Sequence, residues 1–175
     1  MAERAAPALA ATRIDCNGSV FAEILRWSFR ETFVARLLAE DIPQRVAFHG
    51  CQIMGYLNRE REIVGFGTIE ISGEYQSLTG GRPHPYLPLL AVSPGHQGKG
   101  YGTAIVNHLV LLASHFARAG KCHDVLFLDV YESSTAAIHL YRKCGFETMV
   151  ADPLDDPIER KRYFVMARRV STANP

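Results

Sequence analysis

A short apolar run, Tyr86-Leu87-Pro88-Leu89-Leu90-Ala91-Val92, stops at Ser93-Pro94-Gly95 and enters the stretch Gln97-Gly98-Lys99-Gly100-Tyr101-Gly102-Thr103. Residues 103–119 then carry Ile105, Val106, Leu109, Leu112, Ala113 and Phe116 on one broad helical face. No other segment limits the fold as much, because strand, glycine-rich turn and helix follow one another without a gap. The near-continuous apolar run reads as a buried central strand. Gly98, Gly100 and Gly102 leave alternate backbone N–H groups bare of side chains and admit positive φ. A helix start adds about four unpaired N–H donors and the positive end of its dipole. Such a turn suits a phosphate or pyrophosphate group.

The spacing narrows the choice of phosphate ligand. A Walker loop requires Lys followed by Ser or Thr, but Lys99 sits between glycines. The dinucleotide pattern Gly-x-Gly-x-x-Gly needs a third glycine at position 103, which is Thr103. No acidic residue closes a strand about 20 residues further on, where that pattern places one. The plain structural alternative is a tight turn that only packs helix against strand.

Around this feature the chain reads as mixed α/β. Residues 19–40 read as helical, with Phe21, Leu25, Phe29, Phe33 and Leu37 at four-residue steps and Pro43 as the stop. Trp27 and Phe29 do not fit one narrow stripe, which favours a break into two shorter helices. Residues 51–57 and 63–71 read as strands joined by the charged turn 58–62, and two glycines in the second mark close backbone approach. Residues 72–85, with Gly73, Gly80, Gly81, Pro83 and Pro85, read as a loop. Gly120 ends the long helix, residues 125–130 form a second buried strand, and 134–144 a short helix stopped by Gly145. Residues 163–167 are the last strand. The two central strands, joined by a helical crossover, run parallel, and those at the flanks antiparallel.

Length and charge set the outer limits. The 175 residues suffice for one domain with a core, expected over 13–170, between a flexible N-terminus at 1–12 and a tail at 171–175. With 19 basic and 18 acidic side chains, the net charge of +1 supplies no field for a nucleic acid or an anionic membrane. Cys16, Cys51, Cys122 and Cys144 are scattered, and neither they nor the histidines show metal-ligand spacing. The Ala-rich start carries Glu3, Arg4 and Pro7 and matches neither a signal peptide nor a membrane span. A cytoplasmic location and reduced thiols are expected.

Gln97-x-x-Gly100-x-Gly102, with Val92 five residues ahead, resembles the coenzyme A signature of the GNAT superfamily of N-acetyltransferases. A second stretch resembles the family's later strand and helix: Leu128-Asp129-Val130, then Ser134, Ala137, Leu140, Tyr141, Gly145 and Phe146. The likeness is close over residues 63–146 and extends to the first third by layout only. It implies a single-domain GNAT fold, a mixed and mostly antiparallel twisted sheet splayed at the cofactor strand and flanked by helices. It implies acetyl-CoA as cosubstrate and no metal. The pyrophosphate would rest on Gln97, Gly98, Lys99, Gly100, Tyr101, Gly102 and Thr103, and the pantetheine arm along Leu90, Ala91 and Val92. Ser134 and Ala137 would complete the coenzyme side, and the resemblance places Tyr141 as the acid that would protonate the departing thiolate.

Two positions depart from the family pattern. Ser134 stands where Asn is usual, keeping a helix cap but losing the amide's paired donor and acceptor. Asp129 replaces the usual Glu. The general base stays open: Glu70 is a candidate, followed by Glu31, Glu74 and Glu132, while His84 has a suitable pKa but reads as a surface-loop residue. The acceptor is expected to be a small-molecule amine, bound near residues 20–40 and 72–85, where Tyr75, His84 and Tyr86 suggest a partly aromatic pocket. A protein N-terminus or lysine is the alternative acceptor, and a noncatalytic acyl-CoA-binding module the alternative function. A homodimer is compatible with the resemblance.

Overall fold

Strand β1 (Ala10–Ile14) pairs antiparallel with β2 (Gln52–Leu57), from Ala10 opposite Leu57 to Ile14 opposite Ile53. Ordered strand therefore begins at Ala10, within the stretch expected to be flexible. The computed structural model describes residues 7–27 and 32–173. These group into two compact units, each built from two stretches of chain. The first takes the chain through Thr68 together with Leu89–Asn107; the second takes Ile69–Pro88 together with the chain from His108 on. Strand β3 (Ile63–Ser72) contributes to both units.

In the first unit, the region read as one helix is broken. It comprises α1 (Ser19–Ile24), α2 (Thr32–Arg36), a π-helical turn at Leu37–Asp41 and α3 (Ile42–His49). Phe29 and Glu31 lie outside the described residues. The four-residue stripe fails at Leu25, which is 41% exposed because α1 has already ended. Phe21, Ile24, Leu38 and Ile42 instead pack with Ile14, Ile53, Phe66 and Leu89. Burial of each such aliphatic side chain contributes about 1.5–3 kcal/mol. Pro43 lies in the first turn of α3, directly after the π-helical turn that the Ile42 N–H to Leu37 O bond closes, so it marks a change of helix type and not a stop. The stop is Gly50, in the left-handed region at φ 66°.

The hairpin turn after β2 closes through the Asn58 N–H to Glu62 O bond of 3.0 Å. The apolar run at 86–92, read as one strand, is two: β4 (His84–Leu87) and β5 (Leu90–Val92). Both pair antiparallel with β3, but out of phase, with Tyr86 opposite Glu70 and Leu90 opposite Gly67. Three residues, Leu87, Pro88 and Leu89, thus face two on β3, Thr68 and Ile69, which is the count of a β-bulge. Thr68, fully buried, fixes it from both sides. Its N–H donates to Leu89 O at 2.8 Å, and its hydroxyl donates to that same oxygen at 3.0 Å and accepts the Leu89 N–H at 2.8 Å.

Helix α4 (Tyr101–Arg118) starts two residues before the expected position and ends at Gly120, φ 71°. The Lys121 N–H to Phe116 O and Gly120 N–H to Ala117 O bonds close that end as a Schellman motif. In the second unit, β4 runs parallel to β6 (Val125–Tyr131), as the crossover requires, and β6 runs antiparallel to β9 (Lys161–Arg169). The short strands β7 (Glu147–Thr148) and β8 (Leu154–Asp156) also pair with β9. Helix α5 (Thr135–Lys143) follows β6. The architecture is mixed α/β with mostly antiparallel pairing. Among the described residues no helix is long and apolar enough to cross a membrane.

Candidate active site

Each unit holds its own group of the candidate residues. In the first, the ladder between β5 and β3 decides which backbone groups are available. Leu89 and Ser93 turn their N–H groups toward β3, the latter to Val64 O at 2.9 Å. Antiparallel alternation then directs the backbone groups of Leu90 and Val92 to the opposite edge, where β5 has no strand partner among the described residues. Gln97 Nε2 donates to Val92 O at 3.2 Å, tying the turn to that edge.

The turn is braced from below. Ser93 Oγ and His96 Nδ1 lie 2.7 Å apart, and His96 Nε2 lies 3.6 Å from Glu62 Oε2. Asn58 holds Glu62 in turn, donating to its carboxylate at 2.8 Å and accepting its N–H at 2.9 Å. Above this brace Gly98 and Gly100 adopt φ 73° and 89°, conformations that L side chains avoid. A Cβ on Gly98 would meet nothing within 4 Å, while one on Gly100 would sit 3.3 Å from Pro7 Cδ. Gly102 is helical and needs no such freedom.

Ala104 N–H reaches back to Gly100 O at 3.2 Å, so the amides of Tyr101, Gly102 and Thr103 precede the first helical bond. A row of backbone donors interspersed with glycines, at the positive end of a long helix, fits a pyrophosphate. Lys99, whose ammonium donates to Gly95 O at 2.9 Å, adds a cation beside it. An open groove of about 600 Å³ lies beside the brace, lined by Trp27, Glu23, Arg61, Glu62 and His96 among others. Its mixed charges favour no single ligand.

In the second unit, Ser134 occupies the N-cap of α5, yet its side chain makes no capping hydrogen bond. Ala137 and Tyr141 follow on one face of the helix, four residues apart. The Tyr141 ring is buried, with Phe146 at 5.8 Å between centroids, and its hydroxyl makes no hydrogen bond to the described residues. Burial, and secondarily Cys144, pushes its pKa up to about 12, so it stays a proton donor at neutral pH.

The base candidates fare unevenly. Glu70 is 3% exposed on β3, opposite Tyr86. Glu74 is an exposed loop residue, and Glu132 lies 3.7 Å from Arg162. His84 is not on a surface loop: it is fully buried in β4. Its Nε2 accepts the Tyr75 N–H at 3.0 Å, and desolvation lowers its pKa. With that lone pair occupied, His84 is a latch and not a base.

The Acetyltransferase (GNAT) family model matches residues 20–146. The chain belongs to the GNAT family. Streptothricin acetyltransferase of Streptomyces lavendulae is 36% identical over 86 residues, which are 49% of this chain and 39% of that protein. Spermine/spermidine N(1)-acetyltransferase of Bacillus subtilis is 30% identical over 89 residues, 50% of this chain and 55% of that protein. The chain thus spans about half, or less, of the length of these curated relatives. Among solved structures, spermidine N-acetyltransferase from Vibrio cholerae, in complex with CoA and spermine, superposes with a TM-score of 0.66. It is 16% identical, with 94% of this chain and 96% of that one covered, so the likeness bears on the GNAT fold alone.

The structure groups Leu90, Ala91, Val92 and Gln97 through Thr103 in the first unit, and Ser134, Ala137 and Tyr141 on one helix of the second. Sequence reasoning missed the brace of Asn58, Glu62, Ser93 and His96, which no local pattern announces. It also missed the role of Asp129. Tyr75 donates its hydroxyl to both Asp129 oxygens, at 2.7 and 2.9 Å, and Tyr86 donates to one of them at 2.9 Å. The aromatic content of the 72–85 stretch was a signal for such a cluster; its carboxylate partner, more than fifty residues away, was not.

Proposed function

We propose that this GNAT protein transfers an acetyl group from acetyl-CoA to the primary amine of a small molecule, by direct attack of the amine on the thioester. The observation that carries this reading is the row of amides from Gly98 to Thr103, with glycine at every second position, at the start of α4 and tied to β5 by Gln97. The small-amine acceptor is supported by the relatives that acetylate streptothricin and spermine.

Bound acetyl-CoA supplies the activated acetyl thioester. The amides of Gly98 through Thr103, with Lys99, hold its diphosphate charge. The outward N–H groups of Leu90 and Val92 are suited to hydrogen-bond the pantetheine arm, and one of them to stabilise charge on the thioester oxygen. As the C–S bond breaks, Tyr141 gives its phenolic proton to the thiolate sulfur, and the proton that the amine nitrogen gives up on forming the amide restores the phenol. Ser134 and Ala137 line the coenzyme side of α5.

The test is thiol release from acetyl-CoA in the presence of a panel of small amines, with Tyr141→Phe in parallel. Release should depend on both amine and protein. The variant should turn over about 10²-fold more slowly while binding acetyl-CoA as the wild type does. Absence of amine-dependent release across the panel contradicts the function; an unchanged rate in the variant removes only the role of Tyr141.

A further inference from the structure

Within the first unit, the residues between His96 and Tyr101 are the turn itself: Gln97, Gly98, Lys99 and Gly100. Gln97 and Lys99 tie themselves back with their own side chains, to Val92 O at 3.2 Å and to Gly95 O at 2.9 Å. Gly98 and Gly100 have no side chain to anchor them, and glycine has more backbone freedom to lose on ordering than any other residue. What confines them is the fixing of the segment's two ends.

Those ends meet each other. The His96 imidazole stands edge-on to the Tyr101 ring, with centroids 5.7 Å apart and planes at 74°, a geometry that aromatic pairs favour. Tyr101 is the first residue of α4, so this contact joins the near end of the turn to the start of the helix. His96 is in turn held from the sheet. Its Nδ1 lies 2.7 Å from Ser93 Oγ, and Ser93 is fixed to β3 through its N–H to Val64 O. Its Nε2 faces Glu62, and a carboxylate only accepts, so in the neutral ring the proton belongs on Nε2 and the Ser93 hydroxyl donates to Nδ1. The His96 N–H also donates to Ser93 O at 2.9 Å, closing the short turn Pro94–His96. The Glu62 side chain is 63% exposed, so its pairing with His96 counts for less than the Ser93 bond and the ring contact.

We propose that His96 is a positioning residue for coenzyme binding: by joining Ser93 to Tyr101 it holds the turn 97–100 in its binding form before the coenzyme arrives. This rests on the acetyltransferase reading for the identity of the ligand, while the brace is a property of the free chain. Ordering a loose turn on binding subtracts from affinity, and a turn already ordered does not. The effect of His96 passes through the amides of Gly98 and Gly100, which the imidazole holds in place from outside the turn.

The test compares the full-length wild type with His96→Ala and His96→Phe by two measurements. One is the order parameters of the Gly98 and Gly100 amides, from nitrogen relaxation without coenzyme; the other is calorimetric titration with acetyl-CoA. In the wild type both amides should show order parameters of about 0.85, as rigid backbone does, and in His96→Ala they should fall to about 0.6 or below. Acetyl-CoA should bind His96→Ala about tenfold more weakly. His96→Phe keeps a ring against Tyr101 and loses the bond to Ser93, so it should recover part of both. A residue that only stabilised the fold would lower the unfolding temperature and leave both readouts of the folded protein as in the wild type. That result overturns the proposal, as does a change in only one of the two. If His96→Ala does not fold, Ser93→Ala, which removes one hydroxyl, should move both readouts in the same direction, and no movement overturns the proposal. Failure of the wild type to bind acetyl-CoA counts against the acetyltransferase reading, and the order parameters of the free protein then judge the brace alone.

Discussion

At His84, burial and two hydrogen bonds reverse the chemistry that composition suggests. The imidazole lone pair on Nε2 holds the Tyr75 amide, and Nδ1 lies 3.2 Å from Pro85 O, which assigns the ring proton to Nδ1. Charging this ring would break the Tyr75 bond, and desolvation, with a smaller contribution from His123, places its folded pKa below the ordinary 6.5. Above that value the ring is neutral whether the chain is folded or not, and its contribution to stability is complete. As pH falls below it, the unfolded chain takes up the proton first, so stability declines until the folded pKa is reached. Urea unfolding at about pH 7.5 and about pH 5.5 should therefore show a smaller acid-side loss in His84→Gln than in the wild type. The difference is bounded by about 1.4 kcal/mol per pH unit. Equal losses in the two proteins would contradict the latch. The flanking Pro83 and Pro85 hid this residue from sequence reasoning, since proline cannot donate to a ladder and reads as loop. Pro85 nevertheless stands in β4 opposite Ile71.

Among the elements, the bulge between β4 and β5 marks a change of register against β3. Its cause is a pairing register, which apolar periodicity does not encode: seven consecutive residues from Tyr86 to Val92 read as one strand because apolar content alone was counted. The close approach at Gly65 was legible by contrast, because the missing side chain is itself the signal. A Cβ there would fall 2.5 Å from Ile105 Cδ1 and 2.9 Å from Ala91 O. Thr68→Val keeps the branched shape and removes the hydroxyl, leaving the buried Leu89 amide without its acceptor. The expected cost is about 1–3 kcal/mol in denaturant unfolding. A loss below about 0.5 kcal/mol would mean that Thr68 does not hold the bulge. The helix boundaries show the same division: Gly120 and Gly145 stop their helices as read, while Pro43 was misassigned because proline is accepted in a first turn as well as placed after a helix end.

For the molecule as a whole, near-neutral charge and ordinary composition said little, and two separated motifs said most. The turn at Gln97 and the helix after it were legible because each is specified locally, by glycine and helix periodicity. The Tyr75–Asp129 cluster was not, because it depends on a loop folding onto a strand more than fifty residues away, and no local pattern links the two residues. The central claim is that the amides from Gly98 to Thr103 hold the coenzyme's diphosphate. Calorimetric titration of the wild type and Gly100→Glu with acetyl-CoA, with ATP and NAD as controls, tests it most directly. The account predicts saturable acetyl-CoA binding in the wild type, much weaker binding of ATP and NAD, and no acetyl-CoA binding once a carboxylate fills the turn. No binding in the wild type, or equal binding in Gly100→Glu, would contradict it.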